Sequence, residues 1–353
     1  MPASAPAPVP DHATLHRLLD AQLALPPEYR RQLTSHLPMA LQALHALGAN
    51  AARLQAFNAA YLPRLGPLNA AGQAAAESSA PAVSWSDWQN ACGRMASYAA
   101  LRAHFAQALA MQGQPAVLRQ ALPLLWPGLA AAGLHGPIRL AHALQSGHSG
   151  ELAAALAYWA ARWQPLPVPP RRSALSFADW AARLTAAPGL INSPATRIAA
   201  RMEEASATPA YAELAAALQT GPDTLDQLEE LVLDDYIAWQ DFTVLHLVTG
   251  LHAVRQLLSW LDAPDLAPVI RAATAAWLAA LRLPQPAASG SGIPAHADWP
   301  ALLDAARAST DDHAIKLVHV CHAHAQALRL QPAASAGAMR AERYRQAAVI
   351  ALG

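Results

Sequence analysis

Lysine is almost absent from this chain: Lys316 stands alone against 23 arginines in 353 residues. Cysteine is nearly as scarce. Cys92 and Cys321, the only two, lie far apart and outside any metal-type spacing. That excludes a disulfide scaffold or a cysteine zinc site and suits buried thiols in a reducing compartment. An excess charge of either sign is lacking too, since 24 basic residues balance 24 acidic ones. Without a basic stripe or polybasic patch, neither nucleic acid nor a membrane surface is an expected partner. Charged residues are 14% and apolar ones 54% of the chain, a balance that excludes a disordered protein. The longest uncharged run, between Arg119 and Arg139, is interrupted by Pro123, Pro127, Gly128, Gly133, Gly136 and Pro137. It reads as a broken, buried helical region rather than a membrane span. Residues 1–10 form a Pro/Ala leader without basic residues or an apolar core, expected to be disordered and not a signal or transit peptide. The expected location is cytoplasmic. P-loop, GxGxxG, GxSxG, HExxH and CxxC patterns are missing, which removes the common nucleotide, serine-hydrolase, zincin and dithiol signatures.

What is present points to helices. Ala, Leu, Arg, Gln and Glu recur at helical spacing, and β-branched and aromatic clusters are sparse. The fold class is therefore all-α, a single large domain over residues 11–353 built from antiparallel helices around a buried histidine-rich centre. No repeat of solenoid length recurs. Helices are expected near 11–25, 51–61, 151–163, 176–186, 194–206, 208–219, 223–239, 242–261, 265–282, 310–330 and 339–351. A two-piece helix is expected over 85–111. Flexible loops are expected at about 66–84 and 283–298, where Ala, Ser, Gly and Pro concentrate.

Four of the 15 histidines fall within Ser309–His324. His313 and Lys316, three residues apart, share a helix face. A buried lysine, unlike an arginine, can lose its proton and do chemistry. His36 precedes Pro38 at a helix start. His135 precedes Gly136-Pro137 at another, with Arg139 and His142 following on the same face. His246 lies in an apolar helix where His252 is the alternative. Burying such histidines without carboxylate partners is costly unless a metal or mutual hydrogen bonds satisfy them, and imidazole is the commonest metal ligand. His36, His135, His246 and His313, with Lys316, are thus the candidate metal ligands. Asp311 and Asp312 read as first-turn capping and dipole residues. His319, His322 and His324 read as packing or surface residues, and His12, His16, His45, His104, His148 and His296 as surface or loop histidines. The acidic stretch 223–241 carries seven carboxylates and no base, which suits a solvated or partner-facing helix. The tryptophans read as core, with Trp85, Trp88 and Trp159 also able to line an apolar pocket.

At these residues the sequence resembles the questin oxidase-like family, fungal and bacterial all-helical proteins whose studied members open rings of aromatic polyketides. The resemblance rests on five stretches in family order: Ser-His-Leu-Pro-Met-Ala at 35–40, Leu-His-Gly-Pro-Ile-Arg-Leu-Ala-His-Ala at 134–143, Leu-Ala-Tyr-Trp-Ala at 156–160, Leu-His-Leu-Val-Thr-Gly-Leu-His-Ala at 245–253, and Asp-Asp-His-Ala-Ile-Lys-Leu at 311–317. It carries the family's recurring histidines onto His36, His135, His246 and His313, and its lysine onto Lys316. Fungal members carry a histidine where Arg139 stands, Gly-Tyr where Ala141-His142 stands, and Gly is expected where Leu37 stands. The substrate pocket is therefore open to difference.

The expectation is a non-haem iron oxygenase, with zinc or manganese as alternative metals and O2 as co-substrate, acting on an aromatic or quinone-like small molecule. Arg139 and His142 are expected to face a substrate oxyanion or orient a ligand. Lys316, neutral when buried, is expected to react with CO2 and ligate the metal as a carbamate oxygen, which suits iron beside imidazoles. NADPH is unsupported by any motif. The alternatives are a non-catalytic helical binding protein for an apolar ligand or protein partner, and a zinc-dependent hydrolase using the same ligands.

Overall fold

The computed structural model describes residues 11–30, 32–65, 84, 86–171, 173–190, 192–263, 265–282, 293–330 and 334–353. The leader 1–10, Trp85, and residues 66–83 and 283–292 of the two expected loops lie outside the described residues.

Sixteen α-helices occur among the described residues, and the fold is all-α. They are α1 His12–Gln22, α2 Leu37–Ala46, α3 Ala51–Tyr61, α4 Tyr98–Gln112, α5 Gln114–Leu125, α6 His135–Ser146, α7 Ser149–Ala161 and α8 Phe177–Ala186. Then follow α9 Ile198–Ser206, α10 Pro209–Leu214, α11 Thr224–Trp239, α12 Phe242–Leu258, α13 Ala267–Ala279, α14 Trp299–Ala308, α15 Asp312–Arg329 and α16 Ala334–Leu352. One antiparallel pair, β1 Glu28–Tyr29 with β2 Leu33–Thr34, is the only sheet among the described residues. Two residues per strand are too few for an alternating pattern to be read.

Short polar side chains set the helix starts. Asn50, Ser176, Thr208, Asp241, Asp298 and Asp311 each accept a hydrogen bond from a first-turn N–H of the helix that follows, as the four orphan donors of a helix N-terminus require. Prolines at the first turn of α2, α5, α10, α13 and α14 cost no internal hydrogen bond there. Helix α14 is not anticipated from the sequence. Its Asp298-Trp-Pro start abuts the Ser/Gly-rich stretch and is masked by it. The stretch expected as a helix from residue 85 instead begins with 3-10 turns at Trp88–Ala91 and Met95–Ser97 before α4. Gly93 between them adopts φ +73°, a conformation that interrupts a helix.

The described residues fall into two compact units. The first draws on residues within 1–75, 142–152 and 288–353. There α15 packs on α2, α14 and α16, and α1 and α3 pack on α2. Helix α2 is buried on every side from Leu37 to His45, and α15 from Ala314 to Cys321, so neither displays a polar stripe. The second unit draws on residues within 76–141 and 153–287. In it α12 packs on α11 and α13, and α13 on α9.

Histidines enter both interiors. His45 and His148 in the first unit and His104 in the second are buried, against the surface reading of the sequence. Ring contacts carry them inward: His45 lies 4.4 Å from the His12 ring and His104 stacks near Trp88. His148 accepts from the Glu151 N–H through Nδ1 and donates through Nε2 to Asp20. Those two hydrogen bonds, set by folding, remove much of the cost of burying His148.

Candidate metal centre

In the first unit the site grows from the starts of two helices. His36 stands at the N-cap of α2 with Pro38 in the first turn, and its own N–H donates to the Tyr61 hydroxyl at 3.2 Å. At the start of α15 the two neighbouring acids divide the work. Asp311 caps the helix, accepting from the N–H groups of His313 and Ala314. Asp312 turns inward and is buried. Its Oδ1 lies 2.7 Å from His313 Nδ1 and 3.2 Å from His36 Nδ1, and the two imidazoles meet edge-on with centroids 4.5 Å apart. A carboxylate oxygen only accepts, so both Nδ1 atoms donate. The lone pair of each neutral ring is then at Nε2.

Burial, followed by the charge of Lys316, pushes the His36 pKa down to about 3, which keeps the ring neutral and able to ligate. Burial alone would raise the Asp312 carboxyl. The hydrogen bonds from His313 and His36 outweigh it and hold the group well below the usual carboxylate range. Ligand atoms of Asp311, Asp312 and His313 lie within 4.8 Å of one another. Asp311 is already engaged by main-chain donors, so the nitrogen donors are the better ligands here.

Lys316 follows His313 by one turn and is 2% exposed. No described residue reaches its ammonium as an ion-pair or hydrogen-bond partner. Burial pushes its pKa down to about 8, opposed by the more distant charges of Asp312 and Asp311. About a tenth of the side chain is then neutral at pH 7, a form that an arginine does not reach.

A polar chain adjoins this group, buried at His142, Gln42 and His319 and reaching the surface at Gln145. His142 Nδ1 donates to Gln42 Oε1, Gln42 Nε2 donates to Gln145 Oε1 at 2.8 Å, and His319 Nε2 donates to the same oxygen at 2.9 Å. Burial, and then His319, Lys316 and His36, push the His142 pKa well below its usual value. His142 is therefore a neutral imidazole with its lone pair at Nε2. His319 is a core residue. His322 packs on Trp299, and His324 stacks on Tyr344 at 4.6 Å.

The second unit holds the remaining candidates. Before α6, Ala132, Gly133 and Leu134 adopt φ of 51°, 65° and 73°. Three successive left-handed residues, two of them not glycine, are strained. The result turns the Ala132 carbonyl to His135, whose Nδ1 donates to it at 2.6 Å. His246 Nδ1 donates to the Phe242 carbonyl at 2.7 Å. The two rings lie 4.7 Å apart, and the Phe242 ring covers His246 at 4.6 Å. Here too the bonded Nδ1 leaves the lone pair at Nε2. His252 is half-buried and bonds Gln256. Arg139 is buried with its guanidinium 5.6 Å over the Tyr158 ring. Trp88 and Trp159 are buried core residues, the indole N–H of Trp159 donating to the Gly128 carbonyl.

Helix α11 is less solvated than its composition implies. Glu229 and Asp226 hold Arg255, and Asp235 accepts from the Trp277 indole N–H at 2.6 Å. Asp312, by contrast, was assigned from sequence only to the helix start. Its signal was present as one acid more than a cap requires.

Residues 33–321 match the family model described as Questin oxidase-like, a span that includes every candidate named above. No curated protein matches the chain.

Proposed function

The chain belongs to the questin oxidase-like family, and from that membership and the histidine geometry we propose that it is a metal-dependent oxygenase, with non-haem iron as its metal. Family membership supports the coarser statement, an oxidoreductase of oxygenase type. The single observation that carries the metal is shared by His36, His135, His246 and His313. Each has its Nδ1 proton held by a carboxylate or carbonyl oxygen, the arrangement that fixes a ligating imidazole with its Nε2 lone pair outward. Imidazole nitrogens with one anionic oxygen suit a first-row transition metal such as iron. Iron, when bound, would supply the activation of O2.

Lys316 is proposed as the anionic donor. Its neutral Nζ attacks the carbon of CO2, an N–C bond forms, one nitrogen proton leaves to solvent, and a carbamate carrying one negative charge results. Burial without a direct ion-pair partner supports this role, since an unmodified ammonium there is desolvated with only the indirect charges of Asp312 and Asp311 to offset it. Arg139, permanently charged, would bind an oxyanion of an aromatic or quinone-like substrate. His142, its Nδ1 proton fixed on Gln42, would orient a ligand through the lone pair at Nε2.

Protein reconstituted with Fe(II) without oxygen tests the reading. Expected are stoichiometric iron by elemental analysis, an EPR signal on adding nitric oxide, and O2 uptake with a polyketide-type quinone. Alanine at His36, His135, His246 or His313 should lower the iron content. A chain that binds neither iron, manganese nor zinc, and whose stability ignores all three, would overturn the proposal. Stoichiometric zinc without O2 uptake would favour hydrolysis.

A further inference from the structure

The Asp-Asp-His start of α15 contains one acid more than the helix needs. Asp311 alone satisfies the first-turn N–H groups. Asp312 is nevertheless buried, where a carboxylate without function is costly. What it meets are two imidazoles, its chain neighbour His313 and His36, which lies 276 residues from Asp312 in the chain. Both hydrogen bonds end on the same oxygen, Oδ1. The second oxygen, Oδ2, faces the Arg64 guanidinium at 3.6 Å, and that guanidinium also lies 4.9 Å over the Tyr61 ring. Tyr61 in turn receives the main-chain N–H of His36.

We propose that Asp312 is a positioning residue for two metal-ligating histidines at once: a single carboxylate oxygen fixes His36 and His313 in the Nδ1–H tautomer and aims both Nε2 atoms. The inference rests on the metal reading above. A free imidazole in water favours the proton on Nε2, the wrong nitrogen to leave bare here, and an acceptor at Nδ1 reverses that preference. Sharing one oxygen also locks the rings to each other, because neither can rotate without losing its bond to Asp312. The negative charge makes each imidazole a stronger donor to a cation. Arg64 keeps Oδ2 occupied, so the carboxylate does not turn to offer it to the histidines.

The test has a metal-free and a metal-bound arm. In the apo full-length chain, two-dimensional 1H–15N correlation of the imidazole nitrogens should show His36 and His313 protonated at Nδ1. Asp312→Ala should return both toward Nε2–H, while Asp312→Asn, whose carbonyl still accepts, should hold them. In the second arm cobalt(II) is titrated and read by its visible bands. Asp312→Ala is expected to raise the Kd about 10- to 100-fold and to change the band shape, and Asp312→Asn to raise it several-fold. Should the alanine variant not fold, the asparagine variant decides, and an unchanged Kd overturns the inference. Wild-type chain that takes up no cobalt overturns the metal reading and this inference with it. Wild-type affinity and unchanged tautomers in folded Asp312→Ala overturn this inference alone.

Discussion

Burial turns His319 into an acid-sensitive group. Loss of solvent, with a smaller contribution from His322, lowers its pKa to about 4 from the ordinary 6.5. As pH falls below 6.5 the unfolded chain takes up this proton before the folded one. The contribution of this residue to stability is therefore lost between about pH 6.5 and 4, by at most about 1.4 kcal/mol per pH unit, and that contribution alone levels off below. Urea unfolding across that window should show a shallower slope for His319→Gln than for wild type, and equal slopes would refute the assignment. At Lys316 the expected outcome concerns chemistry. Lys316→Arg keeps a cation that cannot lose its proton, so elemental analysis should find the bound metal gone, and stoichiometric metal would exclude the carbamate. His313 and Lys316 were legible from sequence because three-residue spacing on a helix fixes a shared face. Asp312 was not. Which of two adjacent acids caps the helix and which turns inward depends on His36, far away in the chain.

Elements are held where close approach and capping demand it. A Cβ at Gly136 would lie 2.9 Å from two Trp159 ring atoms and 3.0 Å from the Ala131 Cβ, closer than packed atoms tolerate. Gly136→Ala should thus cost about 1–3 kcal/mol in chemical denaturation and displace the start of α6, which carries His135. Wild-type stability would show that α6 shifts freely. Asp241 joins two elements of the second unit. One oxygen caps α12 at Thr243 and Val244, and the other accepts the Leu281 N–H at 3.0 Å. Asp241→Ala should lower unfolding free energy by about 2 kcal/mol, more than an exposed cap such as Asn50 loses. Equal losses at the two sites would show that the second contact contributes nothing. Helix boundaries set by such caps are readable within a few residues for α3, Ala51–Tyr61, and α12, Phe242–Leu258. The hairpin was not, because its four residues are held by pairing rather than by pattern.

For the whole molecule, metal should act as a folding ligand. Anaerobic Fe(II) at a hundredfold excess over Kd should stabilise the native state by about 2.7 kcal/mol. That would appear as a higher melting temperature reversed by chelator, and a melting curve indifferent to iron would contradict the metal reading. Among the described residues no helix is long and apolar enough to cross a membrane, in keeping with the broken run between Arg119 and Arg139. The sequence by itself determined the all-α class, the family, and which histidines and lysine stand in apolar helical settings, because helical period, caps and short motifs are local properties. Only the tertiary structure decided that His45, His104 and His148 go inside, that Glu229 and Asp235 of an acidic helix are consumed by Arg255 and Trp277, and that Asp312 rather than Asp311 serves the histidines. Those outcomes turn on partners brought together by folding. A side chain's tautomer, charge and role follow from what it touches, and local spacing does not encode it.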